Sequence, residues 1–172
     1  MENKLIIFEN ALDEVSFEKI YNFFIDKHTP WYYIKKQVNN SINDDRGFFS
    51  HIIFDENKIF SPAYDLMFSF LEKINVVALI KLRANFNFKS DVRYESEFHT
   101  DFDYKEALTA ILYLNTCNGY TEFNDDKKTK IISKKNKLVI FNNKFQHKMV
   151  SQTDENFRLV INVNFFAKNE SK

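Results

Sequence analysis

The chain has 172 residues, 44% of them hydrophobic with 20 Phe and 8 Tyr, and it balances 24 Lys+Arg against 24 Asp+Glu. That length suits one domain able to bury a sizeable core, and zero net charge supplies no overall field favouring nucleic acid or an anionic membrane. Two Gly and two Pro in the whole sequence argue against disorder, collagen-like repeats and glycine-rich phosphate loops.

The first nine residues are too acidic, and their apolar run too short, for a signal peptide. Residues 5–8 read as a short strand. A helix is expected over about 13–27, with Asp13 or Ser16 as its cap and Val15, Ile20, Phe23 and Phe24 on one face. His28-Thr29-Pro30 ends it. Aromatic and β-branched residues from Trp31 to Val38 suggest a strand, with Trp31 in the core; 39–47 reads as a loop, and Phe48 to Phe54 as another strand.

Ser61-Pro62 opens a second helix whose buried stripe is Leu66, Met67, Phe70, Leu71 and Ile74. From there β-structure dominates. Ile80, Leu82, Ala84, Phe86 and Phe88 alternate with Lys81, Arg83, Asn85 and Asn87, the period of a strand with one dry face and one polar face. Further strands are expected near 96–102, 107–114, 120–123, 129–132, 137–141, 145–151 and 157–166. Asp125-Asp126-Lys127-Lys128 reads as a hairpin tip and Lys134-Lys135-Asn136-Lys137 as a solvated turn.

The single cysteine, Cys117, rules out an internal disulfide and fits a reducing compartment, where it reads as a small loop residue. No run of about 18 uncharged apolar residues occurs, so a soluble cytoplasmic protein with no membrane span is expected. The pattern gives an α+β, mainly β domain over 1–172. Its helical part covers about 1–78 and its β core about 79–168, the strands forming a sandwich or barrel with helices on one side.

Chemistry concentrates in the second half. His99-x-Asp101 offers two donors pointing the same way on a strand, roughly 6.6–7 Å apart, and His147 lies in another alternating segment. Two imidazoles and a carboxylate hold one face of an octahedral metal and leave the other open. Arg158 follows at the start of a strand on which Arg158, Val160, Asn162 and Asn164 share one face. A guanidinium there needs an anion or solvent, because an unpaired buried charge is costly. Thr109, Ile111 and Tyr113 share a face of a further strand, from which the tyrosine hydroxyl is placed to bond the same anion. His28 and His51 have no carboxylate at ligand spacing and read as surface or hydrogen-bonded histidines.

Four landmarks in order resemble the 2-oxoglutarate and Fe(II)-dependent dioxygenases, specifically the prolyl-4-hydroxylase-like branch. They are Phe98-His99-Thr100-Asp101, Tyr113-Leu114-Asn115, Gly119-Tyr120-Thr121-Glu122-Phe123, and Asn136 to Phe141 leading to His147 and Arg158. The resemblance implies a double-stranded β-helix of the jelly-roll, cupin-like kind, with N-terminal helices packed on one sheet. It implies His99, Asp101 and His147 as iron ligands, Arg158 and Tyr113 on the distal carboxylate of 2-oxoglutarate, and Asn162 and Asn164 lining the pocket. Arg83 and Asn85 are candidates to touch 2-oxoglutarate or substrate.

Fe(II), 2-oxoglutarate and O2 are the implied cofactors and co-substrates, with ascorbate a further candidate. The implied reaction hydroxylates an unactivated C–H bond, with succinate and CO2 as by-products. The family turn is usually Gly-Gly-x-Thr, whereas Asn118-Gly119-Tyr120-Thr121 keeps one glycine, which puts bulk near the mouth. The substrate is expected to be a protein, a peptide or a small molecule, with peptidyl proline the branch default and nucleic acid disfavoured. Phe98, Phe102, Tyr104 and Tyr120 are candidates for an aromatic wall that would take a proline ring, and 39–47 and 89–98 for segments flanking the opening. Two other readings of the residues stay open: a zinc hydrolase on the same three ligands, and a non-catalytic β-helix used for binding or assembly.

Overall fold

A computed structural model describes residues 4–35 and 46–168. The elements run β1 (Ile6–Phe8), α1 (Glu14–Ile25), β2 (Tyr32–Ile34), β3 (Phe48–Asp55), β4 (Lys58–Ile59), α2 (Ala63–Leu66), α3 (Phe68–Lys73) and β5 (Val76–Phe88). They continue through β6 (Leu108–Tyr113), β7 (Tyr120–Phe123), β8 (Lys130–Ile132), β9 (Lys137–Asn142), β10 (His147–Val150) and β11 (Phe157–Ala167). The N-terminal part thus carries strands as well as helices, and most of the expected 39–47 loop lies outside the described residues.

The strands form a double-stranded β-helix. An eight-stranded antiparallel sheet runs β1-β9-β6-β11-β5-β3-β2 with β4 paired to β3, and a three-stranded sheet runs β10-β7-β8. The period of two sorts the side chains of the large sheet. Leu82, Ala84, Ala110, Leu112, Ile161 and Val163 form one apolar core with Phe17, Ile20 and Phe24 of α1 and Met67, Phe70 and Leu71 of the second helical segment. Ile111, Tyr113, Val139 and Val160 turn the other way and meet Phe123 and Ile131 from the small sheet and Phe145 from the turn before β10. The functional candidates Arg83, Asn85, Arg158, Asn162 and Asn164 carry the parity of this second face, so they project between the sheets. Among the described residues no helix is long and apolar enough to cross a membrane.

Several local readings shift. Asp13 is the cap of α1, accepting from the Ser16 amide at 2.9 Å. Val15 is 65% exposed, and Phe17 takes its place in the buried stripe. Ser61 accepts from the Ala63 amide at 3.1 Å, but the expected single helix is two short ones meeting at Met67. Asn136 is buried, not solvated. Its backbone is left-handed, with φ of 60°, and its amide bonds both the N–H and the carbonyl of Leu12, tying the N-terminal segment to the β9 turn.

The strand expected near 96–102 does not form. Its residues and the preceding Glu95 pair with β10 through isolated bridges, Glu95 with Val150 and His99 with His147, and the Ser96 N–H donates to the Met149 carbonyl at 2.9 Å. Four residue steps separate the bridges on one side and three on the other, so the ladder carries an extra residue, as in a β-bulge. The Ser96 hydroxyl accepts the Met149 amide at 3.0 Å in place of a backbone carbonyl.

Candidate metal and anion site

His99 and His147 exchange two backbone hydrogen bonds of 3.0 Å, which sets their rings side by side with centroids 4.7 Å apart. Each ring is oriented by its own Nδ1, at 3.1 Å from the Glu97 carbonyl for His99 and 3.1 Å from the Phe145 carbonyl for His147. With Nδ1 donating, Nε2 is the lone-pair nitrogen, and in both rings it points to Asp101 Oδ1 at 3.9 Å. Metal–ligand bonds of about 2.1 Å let one ion span such a gap. One donor atom from each of His99, Asp101 and His147 lies within 4.8 Å of the others.

Asp101 sits on no regular strand, so the i, i+2 argument does not orient it. Its Oδ2 accepts from Thr109 Oγ1 at 2.9 Å and from Asn164 Nδ2 at 2.7 Å. Those two residues are opposite one another across β6 and β11 and are bonded to each other at 3.0 Å. Hydrogen bonds of this kind turn a carboxylate and fix the oxygen it presents. Burial alone would raise the Asp101 carboxyl, but the His147 and His99 rings, Arg83 and the Asn164 amide outweigh it and hold the group below the ordinary carboxylate value. Burial pushes the His147 imidazole below its usual value, with Asp101 opposing. An ionised carboxylate and a neutral imidazole are the ligand forms of these groups.

A second cluster lines the same cleft. Arg158 is 2% exposed, and the cleft it shares with the three donor residues also holds Arg83, Asn85, Thr121 and Asn162. Arg158 Nη2 donates to Thr121 Oγ1 at 3.2 Å, and the Tyr113 hydroxyl donates to the same oxygen at 2.9 Å. The guanidinium carbon stands 5.4 Å from the centre of the Tyr113 ring, a cation–π contact. Burial raises the Tyr113 hydroxyl, with Arg158 opposing, so it stays a neutral donor. Arg158 forms no ion pair among the described residues, and its Nε is buried without a hydrogen-bond partner.

Gly119 makes room for this arginine. A Cβ there would stand 2.9 Å from Arg158 Cδ, 3.0 Å from the Gln152 amide and 3.1 Å from the Val150 carbonyl. The one glycine kept in the turn thus serves close approach rather than an unusual backbone angle.

The structure gathers His99, Asp101, His147, Arg158, Arg83, Asn85 and Asn162 around one cleft. Tyr113 stands behind Thr121, fully buried. Asn164 does not line the cleft, contrary to expectation, because its amide is spent on Asp101. The expected aromatic wall is not assembled: none of Phe98, Phe102, Tyr104 and Tyr120 lines the cleft. Phe102 and Tyr104 stack on each other, and Lys128 and Lys148 stand over Phe98. Sequence reasoning gives Thr109 and Thr121 a place but no role. Thr109 shares the parity of Tyr113 and Thr121 lies in the Gly119 turn, but a threonine on a strand carries no signal of its own.

No protein-family model matches the sequence, and no curated protein matches it. Solved structures do. An oxidoreductase of the 2OG-Fe(II) oxygenase family from Burkholderia pseudomallei superposes with a TM-score of 0.75 at 10% identity, covering 98% of this chain and 87% of that one. A prolyl hydroxylase from Trichoplax adhaerens, solved with a hypoxia inducible factor peptide fragment, gives 0.66 at 16% identity over 99% and 89%. HygX from Streptomyces hygroscopicus, solved with nickel, 2-oxoglutarate and hygromycin B, gives 0.63 at 11% identity over 96% and 83%. The chain therefore has the fold of the 2-oxoglutarate/Fe(II) oxygenases, prolyl hydroxylases among them.

Proposed function

We propose that the protein is an Fe(II)- and 2-oxoglutarate-dependent oxygenase that hydroxylates an unactivated C–H bond of a peptide or small-molecule substrate and releases succinate and CO2. The observation that carries this reading is Arg158, a buried guanidinium with no acidic partner among the described residues, in one cleft with three convergent metal donors. A buried unpaired cation is costly, and a carboxylate bound through two parallel hydrogen bonds is its natural complement. A zinc hydrolase on the same three ligands would leave that cation unused.

His99 Nε2, His147 Nε2 and Asp101 Oδ1 would hold the iron, with Thr109 and Asn164 keeping the carboxylate turned. When bound, the iron supplies O2 activation coupled to oxidative decarboxylation of 2-oxoglutarate. Arg158 takes the distal carboxylate. The Thr121 hydroxyl accepts from Tyr113 and from Arg158, which fills its two acceptor positions and leaves its own proton to donate into the cleft. Tyr113 thus acts on the co-substrate through Thr121 and by packing under the guanidinium.

The test is anaerobic titration of Fe(II)-loaded protein with 2-oxoglutarate, read by calorimetry and by the visible metal-to-ligand charge-transfer band, followed by succinate release on admitting O2. Metal-dependent binding and succinate formation are expected. Metal binding with no 2-oxoglutarate binding would overturn the reading.

A further inference from the structure

The cleft holds a second guanidinium that the first does not explain. Arg83 lies on β5 opposite Asn162 of β11, four residues along from Asn87, the partner of Arg158 in the same ladder. Among the described residues its Nε is buried without a hydrogen-bond partner, and its charged end stands 6.0 Å from the centre of the Phe48 ring. Two carboxylates lie in its field, Asp101 and Asp55, and neither is free to pair with it. Asp55 is taken by Lys81 at 2.6 Å. Asp101 spends Oδ2 on Thr109 and Asn164 and turns Oδ1 to the two imidazoles.

The neighbours of Arg83 make this wall rich in donors. The Ser50 hydroxyl shares its proton between the Ala84 carbonyl and Asn85 Oδ1, both at 3.2 Å, and with Oδ1 turned to Ser50 the Asn85 amide N–H groups are left for the cleft. Asn162 Oδ1, an acceptor, is buried with no partner among the described residues and is open to a donor carried by the same ligand. A wall with an unpaired guanidinium and free amide donors fits a carboxylate, not a proline ring.

We propose that Arg83, assisted by Asn85, is the substrate-anchoring group of this cleft, and that the substrate is held through a carboxylate of its own. The inference rests on the 2-oxoglutarate reading above: with Arg158 assigned to the co-substrate, Arg83 remains for the molecule to be oxidised. It places the two acids on different arginines, so a substrate acid need not compete with 2-oxoglutarate.

The experiment uses Co(II)-loaded protein, with and without saturating 2-oxoglutarate, titrated by calorimetry with L-amino acids and C3–C6 monocarboxylic acids. Each acid is compared with its carboxamide, and tripeptides with free and amidated C-termini form a parallel arm. In the wild-type protein at least one acid should bind tenfold or more tightly than its amide. The preference should vanish in Arg83→Met and return in part in Arg83→Lys, while 2-oxoglutarate affinity shifts less than threefold. Circular dichroism checks that both variants fold. Whether the small acids or the tripeptides show the preference identifies the source of the carboxylate.

Equal binding of acids and amides by wild-type protein would overturn the proposal. So would a preference that survives Arg83→Met, or a fall in 2-oxoglutarate affinity matching that of Arg158→Met. Failure of the parent reading looks different: 2-oxoglutarate would not bind, yet the acid-over-amide preference would still report on Arg83.

Discussion

His51 and His147 are both almost fully buried, at 3% and 4% exposure. Each ring is held by Nδ1 against a backbone carbonyl, that of Pro30 at 2.8 Å for His51 and of Phe145 at 3.1 Å for His147. Burial pushes both imidazoles below their ordinary value. They differ at the other nitrogen. His51 Nε2 meets the Ser61 hydroxyl at 2.7 Å, inside a cage of Phe23, Phe24 and Trp31 edges. His147 Nε2 makes no hydrogen bond among the described residues and faces Asp101 Oδ1 at 3.9 Å. One histidine is used up by the fold and pins α1, β3 and α2 together, whereas the other keeps a lone pair in reserve. The cations divide the same way: Lys81 is spent on Asp55, whereas Arg158 and Arg83 form no ion pair among the described residues. Burial does not mark a site here. Bonding capacity that the fold leaves unused does.

The sharpest way to break this contrast is to remove the reserve. His147→Ala should cost metal affinity on the order of 100-fold or more, above the 10–100-fold typical of losing a group that only orients a ligand. Calorimetry with Co(II) reads it, and His51→Gln should bind the metal as the wild-type protein does. Equal losses in the two variants would erase the distinction. Next in size is Arg158→Met, expected to weaken 2-oxoglutarate binding by about 2 kcal/mol or more, roughly thirtyfold, with Co(II) affinity within a few-fold. A loss of metal affinity as large as that of 2-oxoglutarate would mean that the arginine props up the fold instead of binding the acid.

Thr109→Val tests a residue that holds a ligand without being one. Valine keeps the shape and removes the hydroxyl at 2.9 Å from Asp101 Oδ2. Asn164 still bonds that oxygen, so the expected loss of metal affinity is about tenfold, the low end for such partners. An unchanged affinity would show that Asn164 alone suffices.

These residues also mark how far the sequence could be read. Period-two alternation placed Arg158 and Asn162 on one face of β11 and Arg83 and Asn85 on one face of β5, and that alternation is what brings them into one cleft. The triad was legible because few residue types bind metal and the chain has four histidines. The route to its geometry was not. The sequence pattern sets His99 and Asp101 on a regular strand, but the Ser96 hydroxyl replaces a ladder bond and the strand fails, so Asp101 is aimed by Thr109 and Asn164 from two other strands. Such tertiary hydrogen bonds have no local pattern. Parity alone makes Asn164 a pocket candidate, because it gives the face of a side chain and not its partner. The aromatic wall failed for the same reason, since ring content says nothing of which ring stacks on which.

A last comparison separates the two histidines by pH. The folded-state value of His51 is depressed and the unfolded chain titrates near the ordinary imidazole value of about 6.5. Below that pH the unfolded state binds more protons than the folded one, so the stabilisation is present in full above it and is lost as pH falls toward the folded value. His147 titrates in the same direction in the metal-free protein, so the wild-type slope contains both groups and only a difference isolates His51. His51→Gln can still bond Ser61 or the Pro30 carbonyl but cannot take up a proton. It should lose about 1–3 kcal/mol at pH 7.5, the range for disturbing a buried hydrogen-bonded group. Its stability should also fall less steeply than that of the metal-free wild type between about pH 6.5 and 5, by no more than about 1.4 kcal/mol per pH unit. Urea melts across that range read both numbers. Parallel curves for variant and wild type would mean that the His51 cage admits a proton without cost, and the two buried histidines would then differ in partners alone.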